Sequence, residues 1–179
     1  MISGNDISLS QIQQIRSSYE GLIYFDVHTF SRGFDENLNR VFRRIIEFDK
    51  WALCIDMLQC NDSELLTLSD GGTEDEIIEE LFTYGIKQII VTKAEKGATV
   101  FYKKNNNTFK YHKDVIPVNV LNKVGCGDVF GAVYFYQYVK NKNISLALEK
   151  ANLFAGISTT YTNAKDYLNL KKDASEWIG

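Results

Sequence analysis

Asn122-Lys123-Val124-Gly125-Cys126-Gly127-Asp128 stands between a β-rich segment and an apolar run of helix length, Val129-Phe130-Gly131-Ala132-Val133-Tyr134-Phe135-Tyr136-Gln137-Tyr138-Val139. Two glycines one residue apart, followed by an acid, let the backbone approach an anion closely at a helix N-terminus while a carboxylate stands beside it. A plain tight turn is the bland reading of Gly-x-Gly. The helix-length run that follows directly favours the anion site, and the arrangement suits phosphoryl transfer.

Outward from the motif, short apolar runs alternate with longer amphipathic ones, the pattern of βα units around a parallel sheet. Ser8 to Tyr19 reads as a helix, with Ser8 and Gln11 spaced as a capping box. Leu22 to Val27 reads as a buried strand, Glu36 to Phe48 as a helix with a stripe of Leu38, Val41, Phe42, Ile45 and Ile46, and Ala52 to Met57 as the next strand. Asp62 to Leu68 makes a short helix, and Thr73 with Glu76 caps a helix through Phe82 that Gly85 ends. Lys87 to Thr92 is a strand, and Thr99 to Tyr102 pairs with Thr108 to His112 across the polar turn 103–107 as a hairpin. Two helices, Gly127 to Tyr138 and Ser145 to Tyr161, follow the motif. No repeat, linker or domain boundary shows, so 1–179 reads as a single domain.

With 45% hydrophobic and 24% charged residues the chain has the composition of a globular protein and not of a disordered one. A net charge of -3 with dispersed Lys and Arg argues against a nucleic-acid partner. No apolar run reaches the ~20 residues that span a bilayer, and the N-terminus has no signal-like region, so the expectation is no membrane partner and a cytoplasmic location. Cys54, Cys60 and Cys126 lack the paired spacing of a zinc site and read as reduced thiols. A reactive Cys126 at a helix N-terminus is the alternative to a merely small side chain there.

The glycine motif resembles the C-terminal signature of the PfkB/ribokinase family of sugar and nucleoside kinases, Asp-Thr-x-Gly-Ala-Gly-Asp, then one small residue and Phe. Gly125, Gly127, Asp128 and Phe130 match in order, Cys126 takes the alanine position, and Asn122 and Lys123 replace the aspartate and threonine. Asn61-Asp62-Ser63-Glu64 is similar to the family's Asn-x-x-Glu, Val91 to Ala98 to its strand-to-hairpin element ending in a glycine, Phe25-Asp26-Val27-His28 to its central strand ending in Asp, and Ala151-Asn152 to its late helix. The resemblance covers nearly the whole chain but only the C-terminal portion of the family's domain. It implies a three-layer ribokinase-like (Rossmann-like) α/β fold, a mostly parallel sheet flanked by helices with a C-terminal β-hairpin, the N-terminal part being absent. A partner, a second copy or the missing N-terminal segment would then cover an exposed sheet.

By that resemblance the chain is the ATP-binding and catalytic portion of a kinase that phosphorylates a hydroxyl of a sugar or nucleoside, with ATP and Mg²⁺ as cofactors. Asp128 would be the base, and the N–H groups of Gly125, Cys126 and Gly127 the anion hole. Asn61, Glu64, Thr92, Gly97, Lys123 and Asn152 would hold the nucleotide, with Glu64 organising Mg²⁺ through water. Each has a plainer reading: Asp128 an N-cap, Asn61 and Glu64 a capping box, Gly97 a bend, Asn152 a surface residue. Asp26 and His28 end a strand where ligands of open α/β sheets gather, and Arg32 offers another phosphate contact. The alternative function is a non-catalytic PfkB-like nucleotide-binding or regulatory module, favoured by Asn122 and Lys123. A dinucleotide-binding enzyme is disfavoured, because its glycine motif would follow the first strand.

Overall fold

Residues 7–177 are described in the structure, a computed structural model. Ser8 Oγ accepts a hydrogen bond from the Gln11 N–H and Gln11 Oε1 accepts one from the Ser8 N–H, and this capping box starts helix α1 (Leu9–Ser18) with Ile12 buried. Strand β1 (Tyr24–Asp26) follows, buried along its length. The chain then departs from the helix expected over Glu36–Phe48 and forms an antiparallel ribbon of β2 (Arg32–Phe34) and β3 (Arg40–Phe42). Asp35 is the cause: its carboxylate accepts from the N–H groups of Asn37 and Asn39 at 2.9 and 2.8 Å, and Leu38 turns left-handed at φ 62°. Of the expected apolar stripe only Ile45 is buried, while Leu38 and Ile46 are 79% and 83% exposed.

The strand expected over Ala52–Met57 is also displaced. Glu47, left-handed at φ 55°, begins the short helix α2 (Phe48–Ala52), whose Trp51 packs its ring 5.4 Å from Phe25 and 5.0 Å from Phe30. The strand itself is β4 (Met57–Asn61). An Asn61/Glu64 capping box opens α3 (Asp62–Leu65), and a Thr73/Glu76 box opens α4 (Glu74–Thr83), which buries Ile77, Ile78, Leu81 and Phe82. Gly85, with φ 89°, follows its C-cap Tyr84 and leads to β5 (Gln88–Thr92). Strands β6 (Ala98–Lys104) and β7 (Asn107–Lys113) are neighbours in the sheet, joined by Asn105 and Asn106. Both turn residues have positive φ, 51° and 63°, the conformation a two-residue hairpin turn requires. Helices α5 (Cys126–Asn141) and α6 (Ile144–Ser158) come next. A 3₁₀ turn, Ala164–Asn169, and a last helix α7 (Leu170–Glu176) lie where the sequence had given no expectation.

The five-stranded sheet runs β1-β4-β5-β6-β7, with β1, β4 and β5 parallel. The hairpin therefore comes from the last two strands, with helices after it. The chain up to Lys93 together with Thr99–Lys110 forms one compact unit, and Ala94–Ala98 with the chain from Tyr111 on forms a second. The first has its core around Phe25, Leu58, Ile77, Leu81, Ile89 and Val91, and the second around Leu153, Ile157, Tyr161 and Ala174. Among the described residues no helix is long and apolar enough to cross a membrane.

Asp56 ties together the amino ends of the three parallel strands. Its carboxylate accepts from the Ile23 N–H at 2.8 Å and pairs with Arg16 of α1 and Lys87 before β5, while its carbonyl accepts from Lys87 and Gln88 N–H. Burial alone raises the acid's pKa, but the bonds from Lys87, Ile23 and Arg16 outweigh it and hold the pKa below its ordinary 3.8. A depressed carboxylate contributes stability that is complete above its unfolded value and is lost as pH falls through the folded one. Asp56→Asn should therefore cost roughly 1–3 kcal/mol at neutral pH. In urea melts the difference from wild type should shrink towards zero as the pH is taken down to about 2.

Candidate active site

In the second unit the glycine motif starts α5. Gly125 is the N-cap, left-handed at φ 82° and with no side chain to cap the helix. The turn before it is held by groups distant in the chain: the Tyr167 hydroxyl donates to the Val124 carbonyl at 3.3 Å, and the N–H groups of Leu121 and Asn122 both donate to the Thr159 carbonyl at 2.9 Å. Asn122 Oδ1 accepts from the Val124 N–H at 3.0 Å. Asp128 falls at the third helical position, exposed, where the helix dipole favours a negative charge. Lys123 is largely exposed, and the nearest acid, Glu95, is 3.9 Å away, too open a pair to contribute much.

The same unit contains a backbone lock. Gly97 has φ +85°, and a Cβ there would lie 2.0 Å from the Lys113 carbonyl oxygen. That oxygen accepts from Asn152 Nδ2 at 2.8 Å, and the Asp114 carbonyl accepts from the same nitrogen at 3.3 Å. Asn152 is buried, so its amide has these carbonyls in place of water.

In the first unit the register of the parallel strands sets Asn61 beside Thr92, whose hydroxyl donates to the Cys60 carbonyl at 3.3 Å. Asp26, buried at the carboxyl end of β1, accepts from the His28 N–H and from Gln59 Nε2, each at 3.0 Å. Glu64 is the most heavily bonded acid of this edge. Oε2 accepts from the Asn61 N–H at 2.9 Å, while Oε1 meets His28 Nδ1 at 2.9 Å and Arg32 Nη2 and Nε at 3.1 and 3.3 Å.

The profile of the pfkB family of carbohydrate kinases matches residues 31–170. The chain belongs to that family. It is 32% identical over 115 residues to the deoxyribokinase of Salmonella typhi, a match that covers 62% of the chain and 36% of that protein. Among solved structures the ribokinase of Thermotoga maritima superposes with a TM-score of 0.76 at 20% identity, covering 97% of this chain and 54% of that one. An E. coli protein assigned as a ribokinase II, in complex with ATP and Mg²⁺, superposes with a TM-score of 0.68 at 23% identity, covering 86% and 46%. The fold is thus ribokinase-like, and the chain spans about half the length of these structures.

Within this pfkB chain, the second unit holds Gly97, Lys123, Gly125, Cys126, Gly127, Asp128 and Asn152, and the first holds Asn61, Glu64 and Thr92. Two plainer readings fail: Asp128 is not the N-cap, since Gly125 is, and Asn152 is not on the surface. For Cys126 the plain reading of a small side chain holds over the reactive one. Burial pushes the Cys126 thiol up, and the Gly127 N–H and Lys123 pull the other way without offsetting it. Of the expected anion hole, the Cys126 N–H already reaches back to the Lys123 carbonyl at 3.4 Å, and the Gly127 N–H bonds the Cys126 sulfur. The capping reading of Asn61 and Glu64 holds in full. Glu64 does not fit as a direct ligand of Mg²⁺, because its side chain is buried and each of its oxygens already accepts from an N–H group of the chain. Among the described residues no group of three or more acids, histidines and cysteines is placed to bind a metal. Sequence reasoning missed Tyr167 and Thr159, which no local pattern connects to the turn.

Gly97→Ala should cost more than about 2 kcal/mol, from the left-handed φ together with a backbone clash, whereas Asn152→Ala should cost about 1–2 kcal/mol for the lost amide bonds. Denaturant midpoints of the two variants check this order. Cys126 should resist alkylation by iodoacetamide at pH 7 and react only as the pH passes above the thiol's ordinary 9.0.

Proposed function

We propose that the chain is the nucleotide-binding and catalytic portion of a kinase that transfers a phosphoryl group from ATP to a hydroxyl of a sugar or related small molecule. The observation that carries this reading is Asp128, an exposed carboxylate at the third position of α5, behind a left-handed Gly125 cap, inside the segment matched by the pfkB profile. In this reading Asp128 takes the proton of the acceptor hydroxyl, the oxygen attacks the γ-phosphorus, and ADP leaves with the bridging oxygen. The amino end of α5 and the open Lys123 ammonium meet the charge of the phosphates. Asn122, which replaces the family's aspartate, still closes the turn through its bond from the Val124 N–H. Mg²⁺ commonly accompanies ATP phosphates, as in the E. coli relative, but Glu64 offers it no direct ligand and no step here depends on it.

ADP at 100 times its Kd should stabilise the protein by about 2.7 kcal/mol, a rise in Tm of about 5–10 °C. Asp128→Asn should keep that rise and lose about 10²- to 10⁴-fold in transfer from ATP to D-ribose or 2-deoxy-D-ribose, read by ADP release. Unchanged transfer removes Asp128 as the base. No rise in Tm with either ATP or ADP removes the nucleotide.

A further inference from the structure

Glu64 is too buried and too heavily bonded to bind a cation directly. Its side chain is 3% exposed, one oxygen is held by the Asn61 N–H, and the other is shared by His28 and Arg32. The guanidinium already supplies the positive charge that a buried carboxylate needs. What the acid serves instead is the imidazole. A carboxylate on Nδ1 selects the Nδ1–H tautomer, and Nε2 then carries the lone pair.

His28 is held at two points, its ring by Glu64 and its backbone N–H by Asp26 at 3.0 Å, with Asp26 itself fixed by Gln59. The side chain is 50% exposed, anchored at one nitrogen and open at the other. Arg32 is held the same way: Nε and Nη2 bond Glu64, and the guanidinium carbon stands 5.4 Å from the centre of the Phe42 ring. Both hydrogens of Nη1 and the second hydrogen of Nη2 remain as donors, and Nη1 is the nitrogen that Glu64 does not hold. An acceptor and a donor therefore stand side by side on one buried oxygen, just past the carboxyl end of β1, where ligands of open α/β sheets bind.

We infer that Glu64 is a positioning residue for His28 and Arg32, and that His28 Nε2 and Arg32 Nη1 form an acceptor–donor pair for the hydroxyls of a sugar. The choice of a sugar rests on the kinase reading, whereas the tautomer does not. Hydrogen-bond chemistry favours a sugar over a phosphate: a hydroxyl can donate to the Nε2 lone pair and accept from the guanidinium, whereas an ionised phosphate offers the lone pair no donor.

Long-range ¹H–¹⁵N correlation spectra in alkaline buffer read the ring nitrogens directly, with a His112→Gln chain to assign the two histidines. His28 should be the Nδ1–H tautomer in the unaltered protein. Glu64→Gln can keep the Asn61 bond through its amide oxygen, which turns its NH₂ towards Nδ1, so the ring should switch to Nε2–H. D-ribose or 2-deoxy-D-ribose should shift the Nε2 signal of the unaltered protein and not that of Glu64→Gln, while inorganic phosphate and Mg²⁺ leave it in place. An Nε2–H ring in the unaltered protein overturns the inference, as does a shift produced by Mg²⁺ or phosphate and by neither sugar. The first reading needs no variant, so it stands even if Glu64→Gln fails to fold. If ADP raises the Tm but neither sugar moves Nε2, the sugar pair falls and the kinase reading survives; if ADP has no effect, the kinase reading falls and the tautomer still decides what Glu64 does.

Discussion

The parallel part of the sheet depends on one carboxylate at its amino end. Asp56 precedes β4 and bonds the backbone before β1, the guanidinium of α1 and the ammonium before β5, so three strands and a helix share a single anchor. At the carboxyl end Glu64 plays the corresponding part for Asn61, His28 and Arg32. Between the two acids lies an apolar interior of Phe25, Leu58, Ile89 and Val91, which supplies most of the free energy and little of the alignment. Directional charge-assisted bonds at the strand ends set which residues of the edge face outward, and that edge carries the polar groups of the first unit.

Much of this was legible because it is local. The Ser8, Asn61 and Thr73 capping boxes, the helix end at Gly85 and the strand 87–92 are each written in a few adjacent residues, and the structure has them where the spacing put them. The misreadings came from patterns that two structures can satisfy. Leu38, Val41, Phe42, Ile45 and Ile46 have helical spacing, but the Asp35 carboxylate captures the N–H groups of Asn37 and Asn39 and closes a ribbon before a helix can propagate. The apolar run from Ala52 has the composition of a buried strand, but its first residue closes the short helix that carries Trp51, and the strand begins only at Met57.

The site divides along the same line. The helix start at the glycine motif, with Asp128 in its first turn, followed from order alone, since glycine, acid and apolar run are contiguous, although the cap is Gly125 and not the acid. What Glu64 touches did not, because His28 and Arg32 are separated from it by more than thirty residues and meet it only once β1 and β4 are in register. Cys126 shows the limit of reasoning from position. A helix start lowers a thiol's pKa when the thiol is open to it, and here burial is the larger effect.

The contact of Gly97 with the Lys113 carbonyl also bears on how this sequence can change over time. Asn152 bonds the very oxygen against which Gly97 is packed, so any side chain at 97 must push that oxygen out of the amide's reach. Drift at either position alone is penalised, and the two can move only as a pair, together with the strand end between them. In a set of descendants that couple would read as covariation between distant sites, a mark of main-chain geometry that could be mistaken for shared contact with a ligand.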